Sequence, residues 1–267
     1  MKRTALVTGA SSGIGRATAA VLAARGYRVL GTSRDPDVLD PSQRAAGVEY
    51  LRLDLGSDES VEALADRVAD VDVLVNNAGE SQSGPFEELP GEALRRLFQV
   101  NVLGPVRLTQ LALPGMRQRG YGRVVMVGSM LASFPLAYRS SYVATKAALK
   151  GFSDGARHEL SPFGVWLTTV EPGSINTGIS ERRTRYTTPD SVHRRDFETM
   201  LAALDRNEHA GVSAGRVAAV VVRAIEAARP KPLYAVGSNA PAVFALRRVL
   251  PATLVERAVH RRHGLRR

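Results

Sequence analysis

The fold is decided by a stretch near the amino terminus, which reads Thr4-Ala5-Leu6-Val7-Thr8-Gly9-Ala10-Ser11-Ser12-Gly13-Ile14-Gly15. Residues 4–8 are predicted to form a short buried strand, and residues 16–25 the helix that follows it. Gly9 permits a tight turn, Gly13 lets the backbone approach a pyrophosphate at the helix amino terminus, and Gly15 allows close packing of helix on strand. Strand, glycine turn and helix in this order indicate a dinucleotide site. The spacing Gly-x-x-x-Gly-x-Gly differs from the commoner Gly-x-Gly-x-x-Gly, so a merely structural turn is the alternative.

The end of the second predicted strand, residues 27–32, indicates which dinucleotide is bound. Ser33, Arg34 and Asp35 follow this strand where the adenine ribose should lie. An acidic side chain there binds the 2′-hydroxyl of NAD, whereas an arginine pairs with the 2′-phosphate of NADP. Because Arg34 comes first and Asp35 leads into a loop at Pro36, we predict NADP. The alternative is that Arg34 is only a surface residue.

Outward from this unit, strands and helices alternate along the chain. Five further strands are predicted at residues 48–53, 71–75, 123–127, 166–171 and 233–236. Helices are predicted at 57–69, 91–116, 141–160 and 213–228, with a tail helix at 240–263 that Pro251 interrupts. This alternation predicts an α/β fold: a Rossmann-type, doubly wound parallel sheet of about seven strands in three α/β/α layers. We expect one NADP-binding domain over residues 1–267, with an irregular substrate lid at 178–211 and a basic helical tail at 240–267.

Length and composition narrow the class of protein. The chain has 267 residues, 44% of them hydrophobic, which suits one α/β domain with a large core. It has no cysteine, so neither a disulfide nor a thiolate metal site is expected, and we predict no metal. No apolar run reaches the roughly 20 residues of a membrane span, and no signal-peptide pattern opens the chain. We therefore expect a soluble cytoplasmic protein.

The formal net charge is +10, and nearly all of the positive charge is arginine. No nucleic-acid-binding motif accompanies it, so no nucleic-acid partner is expected. The arginines concentrate in the tail, at Arg247, Arg248, Arg257, Arg261, Arg262, Arg266 and Arg267. A solvated basic tail is the favoured interpretation, and contact with an acidic partner or a membrane surface is the alternative.

A candidate proton donor opens the helix predicted at 141–160. Tyr142 and Lys146 are four residues apart, so they share one helix face. A phenol is a weak acid, with an ordinary pKa of about 10. Because a nearby ammonium stabilises the phenolate, this spacing predicts a general acid or base that works near neutral pH. An exposed surface pair is the alternative.

Further candidate residues lie where the predicted strands end. Asn76-Asn77-Ala78-Gly79 and Gly128-Ser129 follow two of these strands, and such strand ends border the ligand crevice of an open α/β sheet. Ser129 could hydrogen-bond a substrate oxygen that Tyr142 protonates. Asn101 interrupts a long predicted helix with an unfavourable residue type.

Together these motifs resemble the short-chain dehydrogenase/reductase family from Thr4 to about Val236. They occur in the family's order: Thr8-Gly9-x-x-x-Gly13-x-Gly15, Asn76-Asn77-Ala78-Gly79, Asn101, Ser129 with Tyr142-x-x-x-Lys146, and Pro172-Gly173 through Thr177. A narrower resemblance, to the branch around 17β-hydroxysteroid dehydrogenases, rests on Ser11-Ser12, Gly84-Pro85-Phe86-Glu87-Glu88 and Tyr234-Ala235-Val236-Gly237.

The family resemblance implies the role of each residue. Tyr142 would be the general acid in ketone reduction and the base in alcohol oxidation, with Lys146 lowering its pKa and holding the nicotinamide ribose. Ser129 would polarise the carbonyl, and Asn101 would hold a water that links Lys146 to solvent. The implied cofactor contacts are Gly9, Ser11, Ser12, Gly13, Ile14, Gly15, Arg34, Asp54, Leu55, Asn77, Ala78, Gly79, Tyr142, Lys146, Pro172, Gly173, Ile175 and Thr177.

The substrate is less defined than the reaction. The resemblance to the steroid branch favours a bulky apolar carbonyl compound, steroid-like or lipid-like, with a 3-oxoacyl thioester as the alternative. A further hypothesis is that some arginines of the expected lid meet an anionic substrate handle, with a solvated lid face as the alternative: Arg182, Arg183, Arg185, Arg194 and Arg195. A noncatalytic NADP-binding regulator and a nucleotide-sugar epimerase or dehydratase are the rival classes. The family also implies a homo-oligomer, dimer or tetramer, through the helices around Asn101 and Tyr142.

Overall fold

A parallel β-sheet organises the protein, whose computed structural model describes residues 2–179 and 181–265. Its strands are, in chain order, β1 (Thr4–Val7), β2 (Arg28–Ser33), β3 (Val48–Arg52), β4 (Val73–Asn76), β5 (Gly122–Val127), β6 (Val165–Pro172) and β7 (Leu233–Val236). Across the sheet they run β7-β6-β5-β4-β1-β2-β3, and every neighbouring pair is parallel. This confirms the predicted doubly wound, Rossmann-type sheet, whose strand order changes direction between β1 and β4.

Helices connect the strands and cover both faces of the sheet. They are α1 (Gly13–Ala24), α2 (Asp58–Glu62), α3 (Ala65–Ala69), α4 (Gly91–Phe98), α5 (Gly104–Gln118), α6 (Ser140–Leu160), α7 (Arg194–His209), α8 (Ala214–Glu226), α9 (Ala240–Arg247) and α10 (Ala252–Arg262). Two-residue strands form two small ladders outside the main sheet, Gln82–Ser83 with Thr184–Arg185 and Ile175–Asn176 with Val212–Ser213.

Alternation along the strands separates two hydrophobic cores. Leu6 and Leu74 point to one face, where they pack with residues of α5 and α6 such as Leu108 and Leu149. Ala5 and its alternate neighbours point to the other face and pack against α1 and α8. Because successive side chains of a strand face opposite sides, a strand that is apolar throughout needs cover on both faces. The result is the predicted three-layer arrangement.

Two predicted helices are interrupted in the structure. The helix predicted at 91–116 is divided by a π-helical turn at Gln99–Leu103, and Asn101 lies in that turn, fully buried. Such turns commonly occur at functional sites because they redirect a side chain inward. The helix predicted at 57–69 is divided into α2 and α3. Ser57 caps α2 as expected, since its hydroxyl accepts a hydrogen bond from the backbone N–H of Ser60 at 3.1 Å.

The prediction that segment 178–211 is irregular is wrong. The segment contains a two-residue strand at Thr184–Arg185 and the 16-residue helix α7. Phe197, Met200 and Leu204 of α7 are buried in a third apolar cluster. The prediction missed α7 because its many charged residues mask three apolar positions at helical spacing. Ser180, inside the expected lid, lies outside the described residues.

The tail folds as two helices, α9 and α10, and Pro251 stands between them as predicted. The tail packs back on the protein: Phe134 and Phe244 meet edge to face at 5.1 Å, and His260 accepts a hydrogen bond from the backbone N–H of Ala137. Arg266 and Arg267 lie outside the described residues. None of the helices in the described part of the chain has the length and apolar character needed to cross a membrane.

Candidate active site

A cavity of about 1000 Å³ runs along the carboxyl ends of the strands. One end lies beside Arg34 and Asp54, and the middle passes Ser129, Tyr142 and Lys146. The other end lies under the tail helices α9 and α10. The cavity crosses the point where the strand order changes direction, which is the usual ligand site of an open α/β sheet.

The glycine turn after β1 forms the floor of one end. Gly9 and Gly13 have φ angles of +65° and +52°, a conformation that other residues rarely adopt. A Cβ placed on Gly15 would lie 2.2 Å from the carbonyl oxygen of Gly9 and 2.4 Å from Nδ2 of Asn77. The Thr8 hydroxyl accepts hydrogen bonds from the backbone N–H groups of Asn77 and Ala78, each at 2.9 Å. The turn is therefore held close to the end of β4, leaving a backbone cradle that fits a dinucleotide pyrophosphate.

Most of the expected cofactor contacts border this cavity. Besides Gly9, Gly13 and Arg34, they are Ser11, Ser12, Ile14, Asp54, Leu55, Asn77, Ala78, Gly79, Tyr142, Lys146, Pro172, Gly173, Ile175 and Thr177. Gly15 is buried beneath the turn instead. The side-chain amide of Asn77 donates to the carbonyl of Thr8 at 2.9 Å, so this group braces the turn.

Arg34 and Asp35 are placed differently at the end of β2. The Arg34 side chain is exposed and borders the cavity. Asp35 forms an ion pair at 2.8 Å with Arg52, which also pairs with Asp37 at 3.0 Å. Sequence reasoning missed Arg52, since it lies on the neighbouring strand β3. The pairing neutralises the carboxylate that follows Arg34 in the chain, and this favours an anionic group at this end of the cavity.

Ser129, Tyr142 and Lys146 meet in the middle of the cavity, and all three are buried. The Lys146 ammonium lies 5.7 Å from the centre of the Tyr142 ring and donates to the carbonyl oxygen of Val127 at 3.0 Å. The Ser129 side chain is close enough to Tyr142 to lower the pKa of its phenol as a hydrogen-bond partner. The end of β5 and the first turn of α6 thus bring a hydroxyl, a phenol and an amine to one place.

Burial changes the pKa of both ionisable groups in this cluster. It raises the pKa of Tyr142 above its ordinary value, and the Arg139 guanidinium is the largest opposing influence. Burial also lowers the pKa of Lys146 to about 8. Both shifts follow from the cost of removing a charge from water. The pKa of Tyr142 is thus raised rather than lowered as expected, and the cation that opposes this rise most strongly is Arg139 and not Lys146.

Arg139 is the residue of this cluster that sequence reasoning missed. Its side chain is buried, and its guanidinium carbon lies 4.3 Å from the centre of the Tyr142 ring. It donates to the hydroxyls of Ser81 and Ser83 and to the carbonyl of Gln82 at 2.7–3.1 Å. These hydrogen-bond partners are neutral, whereas Glu208 and Asp205 act on the guanidinium through their charge, and burial lowers its pKa to about 10. The only signal in the sequence was an arginine three residues before Tyr142.

Asn101 holds a loop against α6. Its side-chain oxygen accepts from the backbone N–H of Glu80 at 2.8 Å. Its Nδ2 group donates to the carbonyl of Glu80 at 2.9 Å and to the hydroxyl of Thr145 at 3.2 Å. A Cβ on Gly79 would lie 2.9 Å from the Asn101 oxygen and 3.6 Å from the Lys146 ammonium nitrogen. The space left by this glycine therefore lies between Asn101 and Lys146.

Most arginines of segment 178–211 are bound within the segment, which leaves few of them free to meet an anionic substrate handle. The Arg183 side chain is fully buried between Asp205 at 2.6 Å and Glu208 at 2.5 Å. Arg185 also pairs with Asp205, and Arg194 donates to backbone carbonyls of Thr188 and Pro189. Arg195 is exposed, whereas Arg182 borders the cavity.

Apolar side chains line the cavity end beyond Tyr142, and the tail supplies many of them. Those lining it are Met130, Leu131, Phe134, Leu204, Val243, Leu246, Leu250, Val255, Ala258 and Val259. The polar groups among them include Arg247, Arg262 and His263. The arginines of α9 and α10 are exposed, as the favoured interpretation of a solvated basic tail expects, but apolar side chains of the same helices also form a wall of the cavity.

Comparison of the amino-acid sequence with those of known proteins identifies its relatives. A family model described as short chain dehydrogenase matches residues 3–187. Retinol dehydrogenase 8 of Bos taurus is 34% identical over 248 residues, covering 85% of this chain and 79% of the relative. The 17-beta-hydroxysteroid dehydrogenase type 1 of Homo sapiens is 38% identical over 190 residues, covering 66% and 58%.

Solved structures give the same result. A short-chain dehydrogenase from Streptomyces avermitilis is 33% identical, with a TM-score of 0.81 over 96% of both chains. A short chain dehydrogenase from Burkholderia cenocepacia, solved in complex with NADP, is 26% identical, with a TM-score of 0.76 over 96% of both chains.

Proposed function

Because the chain belongs to the short-chain dehydrogenase/reductase family and is an NAD(P)-dependent oxidoreductase, we propose that it uses NADP(H) to interconvert a bulky apolar ketone and its secondary alcohol. One observation carries the proposal. Ser129, Tyr142 and Lys146 meet between a glycine cradle and an apolar cavity end. This arrangement suits transfer of a hydride and a proton to one carbonyl group.

The cradle of Gly9 and Gly13 would hold the pyrophosphate against the amino terminus of α1, where free N–H groups favour anions. Arg34, with Ser11, would bind the 2′-phosphate, since Asp35 is paired with Arg52. The cofactor supplies or accepts the hydride when it is bound. The choice of NADP over NAD rests on these charges.

In reduction, the Tyr142 hydroxyl would give its proton to the carbonyl oxygen of the substrate, while Ser129 donates a hydrogen bond to the same oxygen. The raised pKa of Tyr142 keeps the phenol protonated at neutral pH, as an acid must be. In oxidation the phenolate takes the proton from the alcohol. Burial of Ser129 and Tyr142 excludes competing water from that oxygen.

Lys146 would bind the nicotinamide ribose and stabilise the phenolate during the reaction. We further propose that a water bridges Lys146 and Asn101 in the space that Gly79 leaves, so that a proton returns to Tyr142 from solvent. A side chain at position 79 would fill this space. The hydrogen bonds of Asn101 to Glu80 and Thr145 would fix the water's acceptor in place.

The apolar cavity end supports a steroid-like or lipid-like substrate, because an apolar lining offers few hydrogen-bond partners to a small polar compound. A 3-oxoacyl thioester is the second candidate. It is favoured by Arg247 and Arg262, which border this end and would bind an anionic carrier. A noncatalytic regulator would need none of Ser129, Tyr142 and Lys146. A nucleotide-sugar epimerase or dehydratase is disfavoured, since the cavity end beyond Tyr142 is mainly apolar.

Oxidation of NADPH with a panel of ketones tests the proposal. The panel holds steroid ketones, long- and medium-chain ketones and 3-oxoacyl thioesters, and Tyr142→Phe is the matched variant. We expect turnover on an apolar ketone and a loss of about 10²- to 10⁴-fold in the variant. NADPH binding, followed by its fluorescence, should stay within about twofold. NADPH binding without turnover on any ketone would favour the regulator.

We also propose a homo-oligomer, dimer or tetramer, built on α5 and α6. Leu103 and Phe152, next to and on these helices, are 52% and 48% exposed. A second copy would cover this apolar area. Light scattering should give a mass at least twice that of the chain, and Phe152→Asp should lower it.

A further inference from the structure

The end of α9, the turn after it and the start of α10 carry apolar side chains that nothing in the described chain covers. Leu246, Val249 and Leu254 are 52%, 76% and 47% exposed, and they fall within nine consecutive residues. Pro251, at the centre of this segment, is also exposed. We call residues 246–254 the hairpin tip. Clustered exposed apolar side chains indicate a contact surface, whereas single ones do not.

The helix α10 has two faces with different surroundings. Val255, Ala258, Val259 and Arg262 border the cavity, at helical spacing. Leu254, Arg257 and Arg261 are exposed and share another face. The tail therefore presents an apolar wall inward, and an apolar tip with arginines outward.

The cavity opens beside the hairpin tip. Leu246 and Arg247 border the cavity and are also exposed to solvent, so they stand at its mouth. Leu250, one helical turn beyond Leu246, also borders the cavity. An apolar compound that passes this mouth would meet apolar side chains both outside and inside.

The charge of the tail selects among possible partners. Residues 240–267 hold seven arginines and a single acidic residue, Glu256. A second copy of the chain would bring the same positive charges together, which opposes self-association through this surface. A surface of anionic phosphates over an apolar layer matches both the arginines and the apolar tip.

We propose that the hairpin tip docks on an anionic lipid surface, so that the mouth of the cavity opens onto the bilayer. Leu246, Val249 and Leu254 would enter the acyl region, and Arg248, Arg257 and Arg261 would contact headgroup phosphates. An apolar substrate would then enter the cavity from the membrane without crossing water. Docking does not depend on the proposed reaction, whereas substrate delivery rests on it. Binding should be reversible and weakened by salt, because it combines few apolar side chains with screened charges.

Vesicle cosedimentation of the full chain tests docking. The probes are vesicles of 70% phosphatidylcholine and 30% phosphatidylglycerol, and vesicles of phosphatidylcholine alone. We expect at least about tenfold tighter binding to the anionic vesicles at low salt, and loss of that difference at high salt. Equal binding to both vesicle types, or binding to neither, would overturn the proposal.

The double variant Val249→Asp with Leu254→Asp removes the apolar tip without touching residues that border the cavity. It should weaken binding to anionic vesicles by at least about tenfold. Val38→Asp is the control, since Val38 is 75% exposed but lies in the loop after β2 and outside the tail, and it should bind as the unaltered chain does. If the double variant binds vesicles normally but has a lower mass in light scattering, the tip is an interface between copies and the proposal is wrong.

Turnover separates docking from catalysis. With a water-soluble ketone the double variant should match the unaltered chain, whereas with a long-chain ketone in anionic vesicles its turnover should fall about tenfold. If no ketone is reduced but vesicle binding follows the expected pattern, the proposed reaction fails and docking stands. If the double variant and the unaltered chain reduce the vesicle-bound ketone equally well, as they do the water-soluble ketone, the proposal of membrane delivery is wrong.

Discussion

The two ends of the cavity differ in what lines them: mainly backbone at one end and mainly side chains at the other. At the cofactor end, backbone groups of the glycine turn and the end of β4 form the surface, and no side chain fits under Gly15. At the substrate end, side chains of α7, α9 and α10 form the surface, and several of them are half exposed. The cofactor end is thus fixed by backbone geometry, and the substrate end by side-chain packing.

This difference has consequences for tolerance to change. Where two backbone segments are already in van der Waals contact, there is no room for an added methyl group. Apolar side chains in a wall, in contrast, can repack when one of them loses a methyl group. We therefore expect single substitutions to abolish function at the cofactor end and to retune it at the substrate end. Four variants test the contrast.

The largest effect is expected for Gly15→Ala. The added methyl would overlap the Gly9 carbonyl and the Asn77 amide, so the turn must move by an amount that removes the cradle. We expect no measurable NADPH binding by fluorescence, and destabilisation of roughly 1–3 kcal/mol in urea unfolding. The matched control is Gly155→Ala in α6, where a Cβ meets nothing within 4 Å. That control should bind NADPH normally and gain about 0.5–1 kcal/mol. Normal NADPH binding by Gly15→Ala would contradict the contrast.

Next comes Arg34→Ser, which removes a charge without altering the backbone. NADPH should bind about 10- to 100-fold more weakly, because one charged hydrogen bond is lost. NADH lacks the 2′-phosphate and serves as the internal control, so its dissociation constant should not change. Equal weakening for both nucleotides would place Arg34 outside the phosphate site.

Arg139→Met tests the boundary between the two ends. Glu208, Arg183, Arg139 and Lys146 are the charges around Tyr142, and loss of the guanidinium over the ring disfavours the phenolate. The pKa of Tyr142 should therefore rise further. Since oxidation needs the phenolate, the ascending limb of its pH–rate profile should move to higher pH by about one unit.

The control for this variant is Arg157→Met, at the other end of α6. Arg157 is also buried, donates to backbone carbonyls and lies 4.7 Å from an aromatic ring, that of Trp166. It should lose stability to a similar degree and keep the pH profile of the unaltered chain. Equal profiles for both variants would mean that Arg139 is only structural.

The smallest effect is expected at the substrate end. Leu250→Ala should lower kcat/KM for a long-chain ketone by about 3- to 10-fold, since part of an apolar contact is lost. A short ketone, which does not reach Leu250, should be reduced as before. Initial rates over a series of chain lengths measure this, and a uniform loss across the series would place Leu250 outside the substrate path.

Much of the fold and the core of the site could be predicted because their signals are local. The glycine spacing after β1, the apolar runs of the buried strands, and the four-residue spacing of Tyr142 and Lys146 each lie within one short segment. A local pattern reports the geometry of its own element. The number and type of strands, the strand-end motifs and the family were accessible for that reason.

The remainder arises from contacts between distant segments. Arg139 meets Tyr142 while held by Ser81 and Ser83, and Arg52 neutralises Asp35 from a neighbouring strand. The buried ion pairs that engage Arg183 join residues more than twenty positions apart. No periodicity encodes such pairings, because each depends on how whole elements pack.

The sequence by itself therefore determined the parallel sheet, the cofactor turn and the Tyr142–Lys146 pair. Only the tertiary structure decided that the basic tail returns to wall the cavity, and that a second cation lies over the tyrosine ring. The physical reason is that backbone turns and helix faces are set by nearby residues, whereas burial and electrostatic environment are set by everything that packs around a group.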